Sequence, residues 1–238
     1  MGTLYSRRHL PCQVAAIVAA GGVGKRLGSR THKPFVSLRG QPMLVWALRS
    51  LERSPAVHEI VVVVHRKDVR ATWAVIRAHR FRKITRVVPG GATRTASVFQ
   101  GLKALSDSVR WVVVHDAARP LVTPELIAAT VQAARRFQAA ITAVPVVPTI
   151  KKGQAGWVTG TLNRNHLWAV QTPQVFRRDI LEEAHSKGSA RGLSATDDSA
   201  LVEALGHRVR IVPGSSRNIK VTTPEDLLIA RTLLSGFR

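Results

Sequence analysis

The chain alternates between unbroken apolar runs and stretches whose apolar residues recur every three or four positions. Val14–Ala19, Glu59–Val64, Trp111–Val114 and Ala139–Val144 are runs rich in valine, isoleucine and alanine, the pattern of strands covered on both faces. Between them Pro42–Leu51, Val69–Ala78, Arg94–Leu105 and a segment running to about Phe137 carry helical spacing. In Val69–Ala78 the apolar stripe is Val69, Trp73 and Ile76, with Arg70 and Arg77 off it. Thr123-Pro124-Glu125 supplies a cap, a proline at the first helical position and an acid in the first turn. Thr196-Asp197-Asp198 and Thr223-Pro224-Glu225 cap two later helices. Thr85–Val88 is short and extended, Gln171–Phe176 leads into a helix near Arg178–His185, and His207–Val212 and Asn218–Val221 read as strands.

This alternation predicts an α/β fold with a Rossmann-like, mostly parallel sheet and helices on both faces. Residues 1–238 read as one domain, and the alternation breaks only from Val146 to Asn165. There Pro148, Gly153, Gly156 and Gly160 punctuate short pieces such as Trp157–Thr159, which reads as a β-hairpin arm at about 146–165 projecting from the body. Ligands of such sheets bind beyond the carboxyl ends of the strands. Chemistry is therefore expected just after Val18, Val88 and Val114.

Composition narrows the classes. Hydrophobic residues make up 45% of the 238, which is globular rather than disordered. The run Val14–Ala20 is too short to span a bilayer, and no small-residue cleavage site follows Arg7 and Arg8. A cytoplasmic protein that makes no membrane contact is expected. Cys12 is the single cysteine, which excludes an intrachain disulfide and a multi-cysteine zinc site. Lysine and arginine number 36 against 14 acids, a net charge of +22. That excess suits an anionic ligand, but also nucleic acid or an acidic surface. The basic stretch Arg66–Arg86, with Asp68 as its one acid, reads as a solvated helix face, so the charge identifies no function.

The places after the strands are more specific. The first strand runs into Ala19-Ala20-Gly21-Gly22-Val23-Gly24-Lys25-Arg26-Leu27-Gly28, where glycines let backbone N–H groups approach a phosphate. A dinucleotide fingerprint fails because the third glycine comes one residue late, and a phosphate-binding Walker loop fails because Arg26 stands where serine or threonine is needed. Arg26 and Lys33 place a bidentate cation and a point charge on one loop, a pair able to fold over a triphosphate. His115-Asp116-Ala117-Ala118-Arg119-Pro120 then sets a carboxylate where it can hold Mg²⁺ or a substrate hydroxyl. Arg119 is either an anion donor or the partner of Asp116 in a turn-shaping salt bridge. His115 reads as a hydrogen-bonded structural residue.

Together with Pro89-Gly90-Gly91-Ala92-Thr93-Arg94-Thr95-Ala96-Ser97-Val98, Val147-Pro148-Thr149-Ile150-Lys151, Asn163-Arg164-Asn165, Leu167-Trp168-Ala169-Val170-Gln171-Thr172-Pro173-Gln174, Thr196-Asp197-Asp198 and Asn218-Ile219-Lys220-Val221-Thr222, these segments resemble, in order, the methylerythritol phosphate cytidylyltransferases of isoprenoid precursor synthesis. The likeness runs from about Ala15 to Ala230. It implies a nucleotidyltransferase that joins CTP to a sugar-alcohol phosphate and releases pyrophosphate, with Mg²⁺ or another divalent cation as cofactor. By the same resemblance Arg26, Lys33 and Lys220 are catalytic. Ala20, Gly91, Ala92 and Ser97 would line the cytosine and ribose pocket, and the loop residues Gly21, Gly22, Gly24 and Lys25, read above as phosphate-approaching, complete the expected nucleotide-binding set. Asp116, Arg119 and Thr172 contact the acceptor or the junction, with Asp116 also a candidate metal ligand. Thr149 and Arg164, on the arm, would grip the acceptor held by the partner of a homodimer.

Three positions depart from the family pattern. Ala-Gly-Gly replaces Ala-Ala-Gly, Lys33 precedes a proline rather than following one, and Ala92 stands where an acid is common. Because the acceptor is already an anion, no covalent nucleophile is required, and Ser97, His115 and Cys12 are not assigned that role. The alternatives are a cytidylyltransferase for ribitol phosphate or another polyol phosphate, and a nucleic-acid-binding protein on the same fold. Incidental nucleic-acid binding is expected in any case from the charge.

Overall fold

The computed structural model describes residues 13–22, 24–27, 31–190 and 195–235. Cys12 and the segment before it lie outside that set. The elements in chain order are β1 (Gln13–Ala20), β2 (Ser37–Leu38), β3 (Gln41–Pro42), α1 (Met43–Arg53), β4 (Glu59–Val64), α2 (Val69–Ala78), β5 (Ile84–Pro89), α3 (Arg94–Lys103), β6 (Val109–Asp116), α4 (Pro124–Phe137), β7 (Ala139–Pro145), β8 (Lys151–Gln154), β9 (Trp157–Thr161), β10 (Trp168–Arg177), α5 (Arg178–Ala190), α6 (Asp198–Glu203), β11 (Arg210–Pro213) and α7 (Pro224–Ser235).

Seven strands form one sheet in the order β11-β7-β10-β6-β1-β4-β5. All neighbouring pairs are parallel except that β10 runs antiparallel to both β6 and β7. The apolar runs are continuous because both faces are covered. Along β1, Val14, Ala16 and Val18 pack with Leu44 and Leu48 of α1, Ile76 of α2 and Ile127 of α4. Ala15 and Ile17 face the other way, onto Val98 and Leu102 of α3, Leu181 of α5 and Leu201 of α6. Each fully buried valine or isoleucine contributes roughly 1.5–3 kcal/mol relative to exposure. The helix α3 lies directly on the sheet: a Cβ at Gly101 would come 2.5 Å from Ile17 Cγ2. That close seat fixes where Arg94, at the first turn of α3, meets the carboxyl ends of the strands.

A third, smaller core joins the two ends of the chain. Leu27 and Val36 from the first loop, Leu38 of β2 and Met43 of α1 pack with Leu121, Val221, and Ala230 and Leu234 of α7. It holds Lys33, from the start of the chain, beside Lys220, from its end.

Three readings of the pattern need correction. Asn218–Val221 is not a strand. It is tied to loops instead, with Asn218 O accepting from Arg119 Nη1 at 2.7 Å and Val221 N donating to Ala118 O at 2.8 Å. The strand expected over His207–Val212 is confined to Arg210–Pro213. Gln171–Phe176 is more than a lead-in to a helix, because it lies inside the ten-residue β10. Polar Gln171, Thr172 and Gln174 are buried there, which hides the strand from an apolar count. The register of β10 against β7 shifts between Val170 and Gln174, so Pro173 needs no ladder hydrogen bond.

Within 146–165, β8 and β9 pair as a hairpin turning at Ala155 and Gly156, whose φ values of 49° and 83° suit a two-residue turn of the twisted-hairpin type. Among the described residues no helix is long and apolar enough to cross a membrane.

Candidate active site

At the carboxyl ends of β1, β5 and β6 a cleft of about 260 Å³ is lined by Ala20, Gly21, Gly22, Lys33, Gly91, Ala92, Arg94, Ser97, Asp116 and Lys220. A second hollow of about 450 Å³ is lined by Arg94, Asp116, Arg119, Thr172, Gln174 and Lys220. Arg94, Asp116 and Lys220 belong to both, so this charged trio is the shared wall. Asp116 Oδ1 accepts from Arg94 Nε at 2.9 Å, and its Oδ2 lies 2.6 Å from Lys220 Nζ.

The glycines have distinct reasons. A Cβ at Gly91 would come 2.6 Å from Ala96 Cβ, so only glycine lets this loop close onto the start of α3. The Ser97 hydroxyl accepts from Gly91 N and donates to Thr93 O, which spends it on shaping that loop. Gly24 has φ +74° and sits against Lys33, a conformation that other residues rarely adopt. Gly24 does not line the cleft, and the side chain of Lys25 lies outside what the structure describes. Arg26 is exposed and lines neither hollow, although it is near enough for its charge to bear on Lys33.

Asp116 finds its partners far away in sequence, not in the neighbouring Arg119. Arg119 is buried and spends both terminal nitrogens on backbone, donating to Asn218 O and to Val170 O at 3.1 Å. Its Nε has no partner among the described residues. Thr172 is also structural in part. Its hydroxyl accepts from Asp116 N at 3.1 Å and donates to His115 Nδ1 at 3.0 Å, while His115 Nε2 donates to Arg119 O. That order requires a neutral imidazole protonated at Nε2, in keeping with a pKa lowered to about 4 by burial. Thr149 and Arg164 line neither hollow; both are exposed, and Arg164 Nη1 donates to Val147 O.

Two residues escaped the reading of the sequence. Arg94 Nη1 lies 2.6 Å from Asp198 Oδ2, and Asp198 Oδ1 lies 3.0 Å from His185 Nε2. Asp198 is therefore the anchor of the arginine that holds Asp116, whereas the cap of α6 is Asp197. Acids are scarce in this chain, and the adjacent pair Asp197-Asp198 at a helix start was the available signal.

Residues 14–236 match the sequence model of the 2-C-methyl-D-erythritol 4-phosphate cytidylyltransferases. The chain belongs to that family. It is 48% identical over 228 residues to the 2-C-methyl-D-erythritol 4-phosphate cytidylyltransferase of Pelotomaculum thermopropionicum, covering 94% of this chain and 95% of that protein. The relative of the same description from Symbiobacterium thermophilum is 45% identical, with 94% of each covered. Among solved structures, the 4-diphosphocytidyl-2C-methyl-D-erythritol synthase of Anaerococcus prevotii superposes with a TM-score of 0.83 at 31% identity, covering 94% of this chain and 98% of that one. The Thermus thermophilus cytidylyltransferase gives 0.77 at 32%, covering 92% and 98%.

The electrostatics of this cytidylyltransferase are those of a site built for anions. Burial opposes ionisation of Asp116, but Arg94 and Lys220 outweigh it and hold the carboxyl far below the usual carboxylate range. Burial, then repulsion from Lys220, lowers the Lys33 pKa to about 8, with Asp116 opposing and Arg26 adding to the fall. A direct metal bond to Asp116 does not fit this arrangement. Both its oxygens are already paired, and Arg94, Lys220 and Lys33 surround it with positive charge.

Two outcomes follow. Lys33 is charged below its lowered pKa and neutral above it, so kcat/KM for CTP should fall as pH rises past about 8. Lys33→Arg, whose guanidinium stays protonated, should lack that decline; superimposable pH profiles would show that Lys33 does not set it. Asp198→Asn should lower stability by about 3 kcal/mol, the low end for breaking a buried pair, and reduce turnover. Because the pKa of Asp198 is lowered in the fold, this stabilisation is complete above the ordinary carboxylate range and fades as pH falls. The gap between wild type and variant in urea unfolding should narrow in acid.

Proposed function

We propose that the chain transfers the cytidylyl group of CTP to 2-C-methyl-D-erythritol 4-phosphate, giving the CDP-linked product and pyrophosphate. The observation that carries this reading is the pair of adjoining hollows whose shared wall is Arg94, Asp116 and Lys220. One hollow takes the nucleotide, the other the acceptor, and the reacting phosphates meet at the wall. Gly91 and Ala92 border the base. With no acid at Ala92, cytosine is read there by backbone groups.

An oxygen of the acceptor phosphate attacks the α-phosphorus, and the bond to the departing pyrophosphate breaks. The obstacle is two anions approaching while charge gathers on the equatorial oxygens. Lys33, Lys220 and Arg26 oppose it, and preorganised cations in a half-buried cleft act more strongly than they would in water. Asp116 holds Lys220 in place until phosphate takes over the pairing. A divalent cation such as Mg²⁺ would be held by the nucleotide's phosphates and not by this chain's carboxylates, because among the described residues lining the cleft the one carboxylate, Asp116, is already paired with Arg94 and Lys220. It would supply charge neutralisation. Homodimerisation is supported by exposed apolar side chains on and beside the arm, with Trp157 78%, Val147 77% and Val158 65% exposed. Thr149 and Arg164 would then reach the acceptor of the partner. We assign the work to the cytoplasm, where CTP is made.

Pyrophosphate release should be fastest with CTP and 2-C-methyl-D-erythritol 4-phosphate when the four nucleoside triphosphates are crossed with that acceptor and ribitol 5-phosphate. Preference for ribitol 5-phosphate would move the acceptor assignment, and DNA binding with a steep salt slope but no pyrophosphate would overturn the enzyme reading. Arg164→Ala and Lys220→Ala should each be inactive and regain part of the activity when mixed and allowed to exchange subunits. No recovery after proven exchange would count against a shared site.

A further inference from the structure

A second cluster of chemistry lies on the β4 side of the glycine loop, outside the two hollows. His32 immediately precedes Lys33. His65 is the first residue after β4, and Asp68 sits at the start of α2. One ligand atom from each of the three lies within 4.8 Å of the others, the one such group among the described residues. His32 Nδ1 is 2.5 Å from Asp68 Oδ2, and the two imidazoles meet edge to face with centroids 5.2 Å apart.

Asp68 closes a short 3-10 turn, Arg66–Asp68, that runs into α2 and is capped at its start by the His65 side chain. The Asp68 carboxylate caps no backbone N–H and turns to His32. His65 accepts from Lys67 N at 3.3 Å, a long bond that is easily exchanged. All three residues are half-buried or at the surface, so an ion can reach them.

We propose that His32, His65 and Asp68 bind a divalent transition-metal ion. Two imidazoles and one carboxylate suit Zn²⁺, Co²⁺ or Ni²⁺, whereas Mg²⁺ prefers an all-oxygen shell. Open positions would be filled by water. The ion would join the loop carrying Lys33 to the start of α2, two segments otherwise linked here by the His32–Asp68 contact. With Lys33 N donating to Gly22 O at 3.2 Å, fixing His32 also fixes the glycine loop. The site is thus a structural clamp on the nucleotide-binding loop, separate from any Mg²⁺ brought by CTP. Because its occupancy is read without substrate, it stands or falls independently of the transferase reading.

The test uses full-length protein stripped with chelator and titrated with CoCl₂ and with ZnCl₂ in the absence of nucleotide. Calorimetry should give one ion per chain, Co²⁺ should develop visible absorption from nitrogen ligation, and Zn²⁺ should raise Tm. His65→Ala and Asp68→Asn should each weaken binding about 10-fold or more and abolish the Tm shift, because losing a ligand costs at least as much as losing an outer-shell partner. His207→Ala, a half-buried histidine elsewhere, should behave as wild type. Absence of binding to the wild type, or equal binding in His65→Ala and Asp68→Asn, would overturn the proposal. Circular dichroism of the apo variants separates ligand loss from misfolding.

Discussion

The site depends on one carboxylate. Asp116 stands at the end of a central strand in a chain of net charge +22 and draws two cations to itself, Arg94 from the start of α3 and Lys220 from the loop before α7. Without it, Lys33, Arg94 and Lys220 would repel one another across a half-buried cleft. With it, they can be held together before any phosphate arrives. The lowered pKa of Asp116 reflects the two cations upon it, and the lowered pKa of Lys33 reflects burial first and then repulsion from Lys220. The second carboxylate, Asp198, steadies the arrangement from behind by holding the far side of Arg94.

The fold makes this gathering affordable by keeping the cations on separate rigid supports. Lys33 lies on a loop packed into the small third core, Arg94 on a helix seated against β1 and β4, and Lys220 on a segment tied to β10. Those ties are specific: Asn218 Nδ2 donates to Thr172 O at 2.9 Å, and Gln171 Nε2 donates to Ser215 O at 2.8 Å. The antiparallel strand β10 is therefore more than a sheet-filler. Its buried polar residues hold the loop bearing Lys220 and, through Thr172, orient His115 and the backbone of Asp116. An exposed arm and a basic surface lie outward from this frame, which is the division of labour common to enzymes that carry function on loops over a covered parallel sheet.

The charge of the chain is a weaker guide than it first looks. Many of its cations are solvated, as on α2, where Ile76 and Thr72 face inward and Arg70 and Arg77 face water. What distinguishes the site is the placement of the few acids. Asp116 and Asp198 are buried with cations upon them, and Asp68 turns its carboxylate to His32.

The amino-acid sequence alone determined the α/β class, the strands β1, β4, β6 and β7, the capped start of α4 and the place of the glycine loop. These rest on local spacing: continuous apolar runs, helical stripes, and caps whose partners are three residues away. It also contained Lys33, Asp116 and Lys220 as recognisable motifs. Only the tertiary structure decided who pairs with whom. Asp116 chose Arg94 and Lys220 over the adjacent Arg119, Asn218–Val221 became a side-chain-tethered loop instead of a strand, and β10 formed through buried polar residues that no apolar pattern reveals. In each case the deciding partner is distant in sequence, and the energy of an ion pair or buried hydrogen bond depends on separation in space and on burial, quantities that neighbouring residues do not encode.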